Sequence, residues 1–199
     1  MFISIDLDNT VNDFDVKFLK YYNNVSGKKL GLDGLKDYDL TSLGIDRETL
    51  EVLFFKNDAF YRTLGADPFA VQVIRNLFDA GHTITFVSAA DYSIIDSRVR
   101  FVQKYFPFLD VNKSLIMTEN KGIVHADVLI EDLNRNLTNV NYICTYILLK
   151  KPWNTEHWNI YRNSKDEFSE HGCPDVFACS DWKEIRDVFD EMEAFKSIW

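Results

Sequence analysis

Short apolar runs alternate along this chain with segments whose apolar residues recur at helical spacing, and that alternation restricts the fold more than any other feature. Phe2-Ile3-Ser4-Ile5 is a short apolar run closing on a polar cluster, as expected of a buried parallel strand. From Val11 the apolar positions 11, 14, 18, 21 and 25 follow helical spacing, and Ser26-Gly27-Lys28 stops the pattern. Residues 27–45 are rich in Gly, Asp and Ser with little periodicity, and a second helix starts at Asp46 with Leu50, Leu53 and Phe54 on one face. Asp67-Pro68 is an N-cap with proline at the first helical position, followed by a core stripe of Val71, Ile74, Leu77 and Phe78 that ends at Ala80-Gly81. Beyond it the pattern predicts a strand from Thr83 to Ser88 and a helix over 94–106 with Ile95, Val99, Val102, Tyr105 and Phe106 inward. Strands over 114–117, 127–131 and 143–149 follow, then a final helix capped by Ser180 or Asp181 and bearing Ile185, Val188, Phe189, Met192 and Phe195. Strands separated by helices need crossovers. The expected fold is therefore α/β, a Rossmann-like parallel sheet flanked by helices, with its ligand site at the carboxyl ends of the strands. Residues 1–10 and 67–199 form the core in this reading, and 11–66 a small helical insertion after the first strand.

Composition narrows the partners. The 199 residues suit one main domain. The chain lacks any apolar run near the ~20 residues of a membrane span. The formal net charge of −9 repels nucleic-acid polymers and anionic membranes. A small anion can bind only where charge is locally positive, as at a metal ion. Met1 to Asp6 has no basic leader or small-residue cleavage site, and Cys144, Cys173 and Cys179 are too few for a disulfide framework, so free thiols and a cytoplasmic location are expected.

Chemistry concentrates at the strand ends. Asp6-Leu7-Asp8-Asn9-Thr10 follows the first strand and puts two carboxylates two residues apart. One carboxylate can accept a phosphoryl group while its neighbour, kept protonated by the first charge, protonates a leaving oxygen. An isolated D-x-D reads equally well as a solvated acidic turn. Three further signals follow at successive strand ends. Ser88 can offer a hydroxyl and the backbone N–H groups after it to an anion. Lys121 in Glu119-Asn120-Lys121-Gly122 can neutralise phosphoryl charge. Asp127 and Glu131-Asp132 bracket Val128-Leu129-Ile130, leaving the latter pair where oxygens can hold a hard cation. Each alone is an ordinary turn or surface residue; their order along the chain carries the weight.

This order, D-x-D-x-T, then Ser, then Lys, then a terminal acidic pair, resembles the haloacid-dehalogenase superfamily. The resemblance implies Asp6 as nucleophile, Asp8 as general acid and base, and Asn9, Thr10, Ser88, Ala89 and Lys121 around the phosphate. It implies Mg²⁺ held by the Asp6 carboxylate, the Asp8 backbone carbonyl and Asp132. It also implies that residues 11–66 form a helical cap over the core. Asp8 favours phosphoryl transfer, since the superfamily's dehalogenases lack that second aspartate. The chain is further similar to the 5′(3′)-deoxyribonucleotidases through Asp13-Phe14, Ala59-Phe60-Tyr61 before Asp67-Pro68, Lys104-Tyr105-Phe106, Ala126-Asp127-Val128-Leu129-Ile130-Glu131-Asp132 and Ser180-Asp181-Trp182-Lys183-Glu184-Ile185. That likeness implies a Mg²⁺-dependent phosphomonoesterase for (deoxy)ribonucleoside monophosphates, working through an aspartyl phosphate. It places Phe14, Phe60 and Tyr61 in a base pocket. Glu131 and Ala89 depart from the family pattern, which usually has Asp and a hydroxyl residue there.

Several alternatives stay open on the residues alone. A phosphatase for another small phosphorylated metabolite uses the same chemistry, and a homodimer is compatible with the chain. Phe14 and Phe18, four apart, suit core packing as well as base stacking. A phospho-accepting receiver domain would place its acidic pair first, whereas here the D-x-D leads. His157, His171, Cys173 and Cys179 do not match a zinc knuckle. Lys150-Lys151-Pro152-Trp153-Asn154 suits either an active-site rim or a surface turn.

Overall fold

The computed structural model describes residues 1–35, 38–138, 145–163 and 176–196. Six strands form one parallel sheet: β1 (Phe2–Ile5), β2 (Thr83–Ser88), β3 (Leu115–Met117), β4 (Val128–Glu131), β5 (Thr145–Leu149) and β6 (Val176–Cys179), in the order β3-β2-β1-β4-β5-β6. The helices are α1 (Phe14–Ser26), α2 (Arg47–Leu50), α3 (Asp58–Tyr61), α4 (Pro68–Asp79), α5 (Ile95–Tyr105), α6 (Val111–Ser114), α7 (Asn134–Thr138), α8 (Thr155–Asn163) and α9 (Trp182–Lys196). A π-helical turn, Glu51–Phe55, extends α2. No described helix is long and apolar enough to cross a membrane.

The sheet explains where the chemistry falls. From β1 the chain steps outward to β2 and β3, then returns to start β4 on the other side of β1 and runs outward again. Ile3 pairs with Ile84 on one side and Val128 on the other. The strand order thus reverses between β1 and β4, and a crevice opens at their carboxyl ends. Asp6 and Glu131-Asp132 stand there. Asp127 lies at the opposite end, where its Oδ2 accepts from the backbone N–H of Phe2 at 2.6 Å and ties β4 to β1.

Sequence patterning and structure agree on the strands through β5, although 143 and 144 of the fifth expected strand lie outside the described residues. They differ beyond it. β6 and α8 extend the sheet by another unit, hidden because Val176–Cys179 is a short edge strand. On α1 the buried residues are Phe14, Asp15, Phe18 and Leu19, while Tyr21 and Val25 are exposed, so the inward face is narrower than the spacing suggested. On α5 the buried face carries Ser97, Arg98, Phe101 and Val102, with Ile95 exposed. A paired arginine has displaced the expected apolar stripe.

Local signals account for the helix ends. Gly27 adopts φ 71°, the left-handed conformation that glycine reaches without Cβ strain, and its N–H caps Asn23 at 3.0 Å. The Asp67 Oδ1 accepts from the N–H groups of Phe69 (2.7 Å) and Ala70 (3.3 Å) at the start of α4. Residues 11–66 leave and rejoin at one place, since the Asp67 N–H donates to the Val11 carbonyl at 2.8 Å and Asn12 bridges Ala66. Inside this stretch the aromatic rings pack on one another. Phe14 stacks against Phe18 (6.4 Å) and Phe55 (6.2 Å) and meets Phe60 edge-on (5.4 Å), while Phe18 meets Phe54 edge-on at 4.3 Å. These rings join Ile3, Ile5 and Phe86 in a single hydrophobic cluster. Phe14 is 1% exposed. Phe14→Ala should therefore cost about 3–5 kcal/mol in chemical denaturation; a loss below about 1 kcal/mol would show that the ring is not packed as described.

Candidate active site

β1 places Asp6 while the ladder still holds its backbone: the Asp6 N–H donates to the Ile130 carbonyl at 3.0 Å. Leu7 turns into the core, and its carbonyl accepts from the N–H groups of Val11 (3.0 Å) and Asn12 (3.1 Å), which closes the loop after the strand. Asn9 adopts φ 60°, a left-handed conformation that asparagine tolerates. Its Oδ1 accepts from the Asp15 N–H at 2.9 Å, and Asn12 Oδ1 accepts from Phe14 N–H at 3.0 Å. Thr10 Oγ1 donates to Asp6 Oδ2 at 3.3 Å, and the Trp182 indole N–H donates to the Thr10 carbonyl at 2.9 Å, so α9 pins the loop from behind.

Lys121 enters the site from the turn after β3. Its Nζ donates to Asp6 Oδ1 and, at 2.8 Å, to Glu131 Oε1. Glu131 Oε2 takes a second donor, Asn136 Nδ2, at 2.9 Å. The Asp132 backbone carbonyl accepts from Asn154 Nδ2 (2.8 Å) and Trp153 Nε1 (3.3 Å), and the same Asn154 amide reaches the Leu149 carbonyl at 2.8 Å. Trp153 and Asn154 are thus a buried brace for β4 and β5, while Lys150 and Pro152 of the same stretch are exposed.

Carboxylate oxygens of Asp6, Glu131 and Asp132 lie within 4.8 Å of one another. Burial raises the pKa of Asp6, with Lys121 opposing and Asp8 adding to the rise. Burial pushes Glu131 up to about 7 against the pull of Lys121. Asp132 is held well above the carboxylate range by burial and by the charges of Asp6 and Glu131. Burial also disfavours the Lys121 cation, but Asp6 and Glu131 outweigh it and raise its pKa. One lysine cannot neutralise three carboxylates. The surplus is an all-oxygen, anionic donor set of the kind a hard divalent cation takes.

Asp8 is gripped separately. Arg98 Nη1 donates to its Oδ1 at 2.8 Å and Nη2 to its Oδ2, while Asn12 Nδ2 reaches Oδ1 at 2.9 Å. A pocket of 420 Å³ opens over this assembly, lined by Asp6, Asp8, Tyr38, Ala89, Lys121 and Asp132, with Glu119, Leu133, Arg135 and Asn136. Ser88 is buried at the end of β2, beside Ala89. Asn9 and Thr10 line a neighbouring 490 Å³ pocket, with Asp15, Trp153 and Trp182.

The structure does not bring Phe14, Phe60 or Tyr61 to the 420 Å³ pocket; all three are buried against other rings. The aromatic residue at that pocket is Tyr38, at φ 50° and with its ring 5.2 Å from that of Trp153. Burial raises its hydroxyl pKa well above the usual value, as do the charges of Asp15, Asp132 and Asp8. Tyr38 gave no periodic signal, since it stands in the Gly- and Asp-rich stretch before Asp46. Arg98, Asn12 and Asn136 also escaped the sequence reading, because a polar residue on a helix or loop reads as surface; Asn154 stood in the stretch read as either an active-site rim or a surface turn. Of the zinc alternative, His171 and Cys173 lie outside the described residues; among the described residues the metal-capable group is the carboxylate trio.

Comparison with known proteins agrees with this geometry. A haloacid dehalogenase-like hydrolase from Streptococcus pneumoniae superposes with a TM-score of 0.58 at 11% identity, covering 94% of this chain and 97% of that one. A haloacid-dehalogenase family hydrolase from Deinococcus radiodurans R1, solved with bound phosphate and sodium, gives 0.58 at 15% identity over 96% and 95%. The parallel sheet and these two neighbours define the fold as that of the haloacid-dehalogenase-like class. A 5′(3′)-deoxyribonucleotidase from Clostridium acetobutylicum is 32% identical over 140 residues, 69% of this chain and 76% of that protein. The family described as 5′ nucleotidase, deoxy (pyrimidine), cytosolic type C protein matches residues 1–170, and the chain belongs to it.

Behind the loop, Asp15 is 1% exposed with neither carboxylate oxygen hydrogen-bonded. Burial pushes its pKa up to about 7, with the Asn9 amide opposing the rise and the charge of Asp8 adding to it. The native state keeps a proton that the unfolded chain releases near its ordinary value of 3.8, so this group makes stability fall as pH rises between the two. Asp15→Asn should raise Tm relative to wild type at about pH 8 and change it little at about pH 4. A Tm difference that stays constant across that range would show that Asp15 does not titrate as described.

Proposed function

We propose that the protein is a Mg²⁺-dependent phosphomonoesterase that hydrolyses (deoxy)ribonucleoside monophosphates through a phosphoryl-Asp6 intermediate. The observation that carries this is the Asp6 carboxylate, set between Lys121 and the Glu131-Asp132 pair at the floor of a 420 Å³ pocket in a nucleotidase-family chain. An Asp6 oxygen attacks phosphorus as the bond to the ester oxygen breaks, and Asp8 gives that oxygen its proton. Water then attacks the phosphorus of phosphoryl-Asp6, returns a proton to Asp8, and frees phosphate and the Asp6 carboxylate. The products are nucleoside and inorganic phosphate.

Lys121 neutralises phosphoryl charge, and Ser88, Ala89, Asn9 and Thr10 are assigned to the phosphate rim. Glu131 is already engaged by Lys121 and Asn136. Asp6, Asp132 and the Asp8 carbonyl are therefore the assigned holders of Mg²⁺. When bound, Mg²⁺ supplies positive charge against the carboxylates and the phosphoryl oxygens. Residues 11–66 are assigned as a small helical cap on the core of 1–10 and 67–199, supported by the Val11–Asp67 junction and by Tyr38 at the pocket. In this reading Tyr38 meets the base, and Phe14, Phe60 and Tyr61 shape the pocket only as the packing behind it. Burial of those three rings favours one alternative, a phosphatase for a small metabolite without a base.

A screen of ribo- and deoxyribonucleoside monophosphates beside base-free phosphate esters, with Mg²⁺ and after chelation, separates these readings. Nucleotides should be hydrolysed fastest, and only with Mg²⁺. Asp6→Asn should abolish turnover with the fold intact, because an amide cannot take the phosphoryl group. Asp8→Asn should cost on the order of 10²–10⁴ in rate on nucleotides and less on nitrophenyl phosphate, whose leaving group needs no proton. Full activity after chelation, or from Asp6→Asn without deamidation, would refute the mechanism.

A further inference from the structure

We propose that Arg98 is a positioning residue for Asp8, orienting the acid–base carboxylate through a two-pronged ion pair whose arginine is buried. The inference rests on the phosphatase reading above. Asp8 stands in the turn beyond the end of β1, where its side chain is free to rotate unless something fixes its plane. The Arg98 guanidinium does so: a planar fork meets a planar carboxylate, one nitrogen to each oxygen. Asn12 closes on the same carboxylate from its own loop.

Arg98 is itself held for this task. It is 1% exposed, on the inward face of α5, with its guanidinium 4.4 Å from the centre of the Tyr61 ring. Its Nε makes no hydrogen bond. A buried arginine that leaves one donor unsatisfied while directing two at a single carboxylate is placed for that carboxylate. Arg98 does not line the 420 Å³ pocket, whereas Asp8 does, so its contact with the chemistry there is made through Asp8, beside the longer-range pull of its charge on Asp6. Nor is the pair needed to fasten α5, since Ser97 already ties that helix to α3. Its N–H donates to Asp58 Oδ1 at 3.1 Å and its hydroxyl to the Asp58 carbonyl at 2.9 Å. The family's nucleophile and metal acids are likewise reached by other residues, Lys121, Asn136 and Asn154.

A double-mutant cycle tests the inference. Arg98→Gln and Arg98→Lys are each made in the wild-type chain and in Asp8→Asn, with kcat and KM measured on the best nucleotide substrate and Tm recorded for each. Arg98→Gln alone should lower kcat by about 10–100-fold with KM within about threefold, as expected when a reacting group is misplaced. Arg98→Lys, which keeps the charge but not the fork, should fall between. In Asp8→Asn the Arg98 substitutions should cost less than about twofold, because the group they orient no longer exchanges protons. Equal fold-losses in both backgrounds, or an unchanged kcat for Arg98→Gln, would overturn the inference. If Arg98→Gln does not fold, Arg98→Lys carries the same comparison. An inactive wild type, or an Asp8→Asn enzyme with full activity, would instead sink the phosphatase reading on which the inference stands.

Discussion

At the carboxyl ends of β1 and β4, three buried carboxylates crowd together, and one lysine pairs with two of them. Like charges this close raise one another's pKa, and burial adds to the effect, as the upward displacement of Asp6, Glu131 and Asp132 shows. Lys121 offsets part of that repulsion through Asp6 and Glu131. Left to relax, such a cluster would swing apart toward water. The surrounding structure prevents this by holding backbone as well as side chains: Asp6 through its ladder bond to Ile130, and Asp132 through Asn154 and Trp153. The repulsion is thereby kept available for a ligand that relieves it, and an anionic phosphate can approach only when further positive charge accompanies it.

The strand order makes that confinement economical. Because β1 and β4 are neighbours in space but separated by most of the chain, acids far apart in the sequence meet without a long loop. Distant elements then close the back of the site. Trp182, at the start of α9, reaches the Thr10 carbonyl, and the turn after β5 supplies Asn154. The loop after β1 is held from outside by the Trp182 indole at the Thr10 carbonyl and by the Arg98 guanidinium at Asp8.

How much of this was legible depended on the kind of residue. Acids that close short apolar runs stood out, because a carboxylate at the end of a buried strand has no packing reason to be there; Asp6 and Asp132 are such cases. Lys121 was legible only by its order between them. Arg98 was not: although Phe101 and Val102 at i+3 and i+4 are apolar, an arginine on a helix reads as exposed, and only the partner Asp8, far away in sequence, makes its burial tolerable. Phe14 shows the converse. Its helical spacing marked it as buried without telling packing from ligand contact, and the structure surrounds it with Phe18, Phe55, Phe60 and Tyr61. Tyr38 owes its place to a left-handed turn in an aperiodic stretch, for which no spacing rule gives warning.

The junction at Val11 and Asp67 has a consequence for how such a chain can change. Its two ends are joined by a backbone hydrogen bond and a bridge, and the stretch between them is fastened elsewhere too: Phe14 and Phe18 share the cluster of Ile3 and Ile5, and Asp58 holds Ser97. Lengthening a loop alters chain entropy by only about 0.6 kcal/mol per doubling of length. Added residues are therefore tolerated in an exposed turn such as that around Gly27, whereas a change at the packed rings is transmitted to the strand that leads into Asp6.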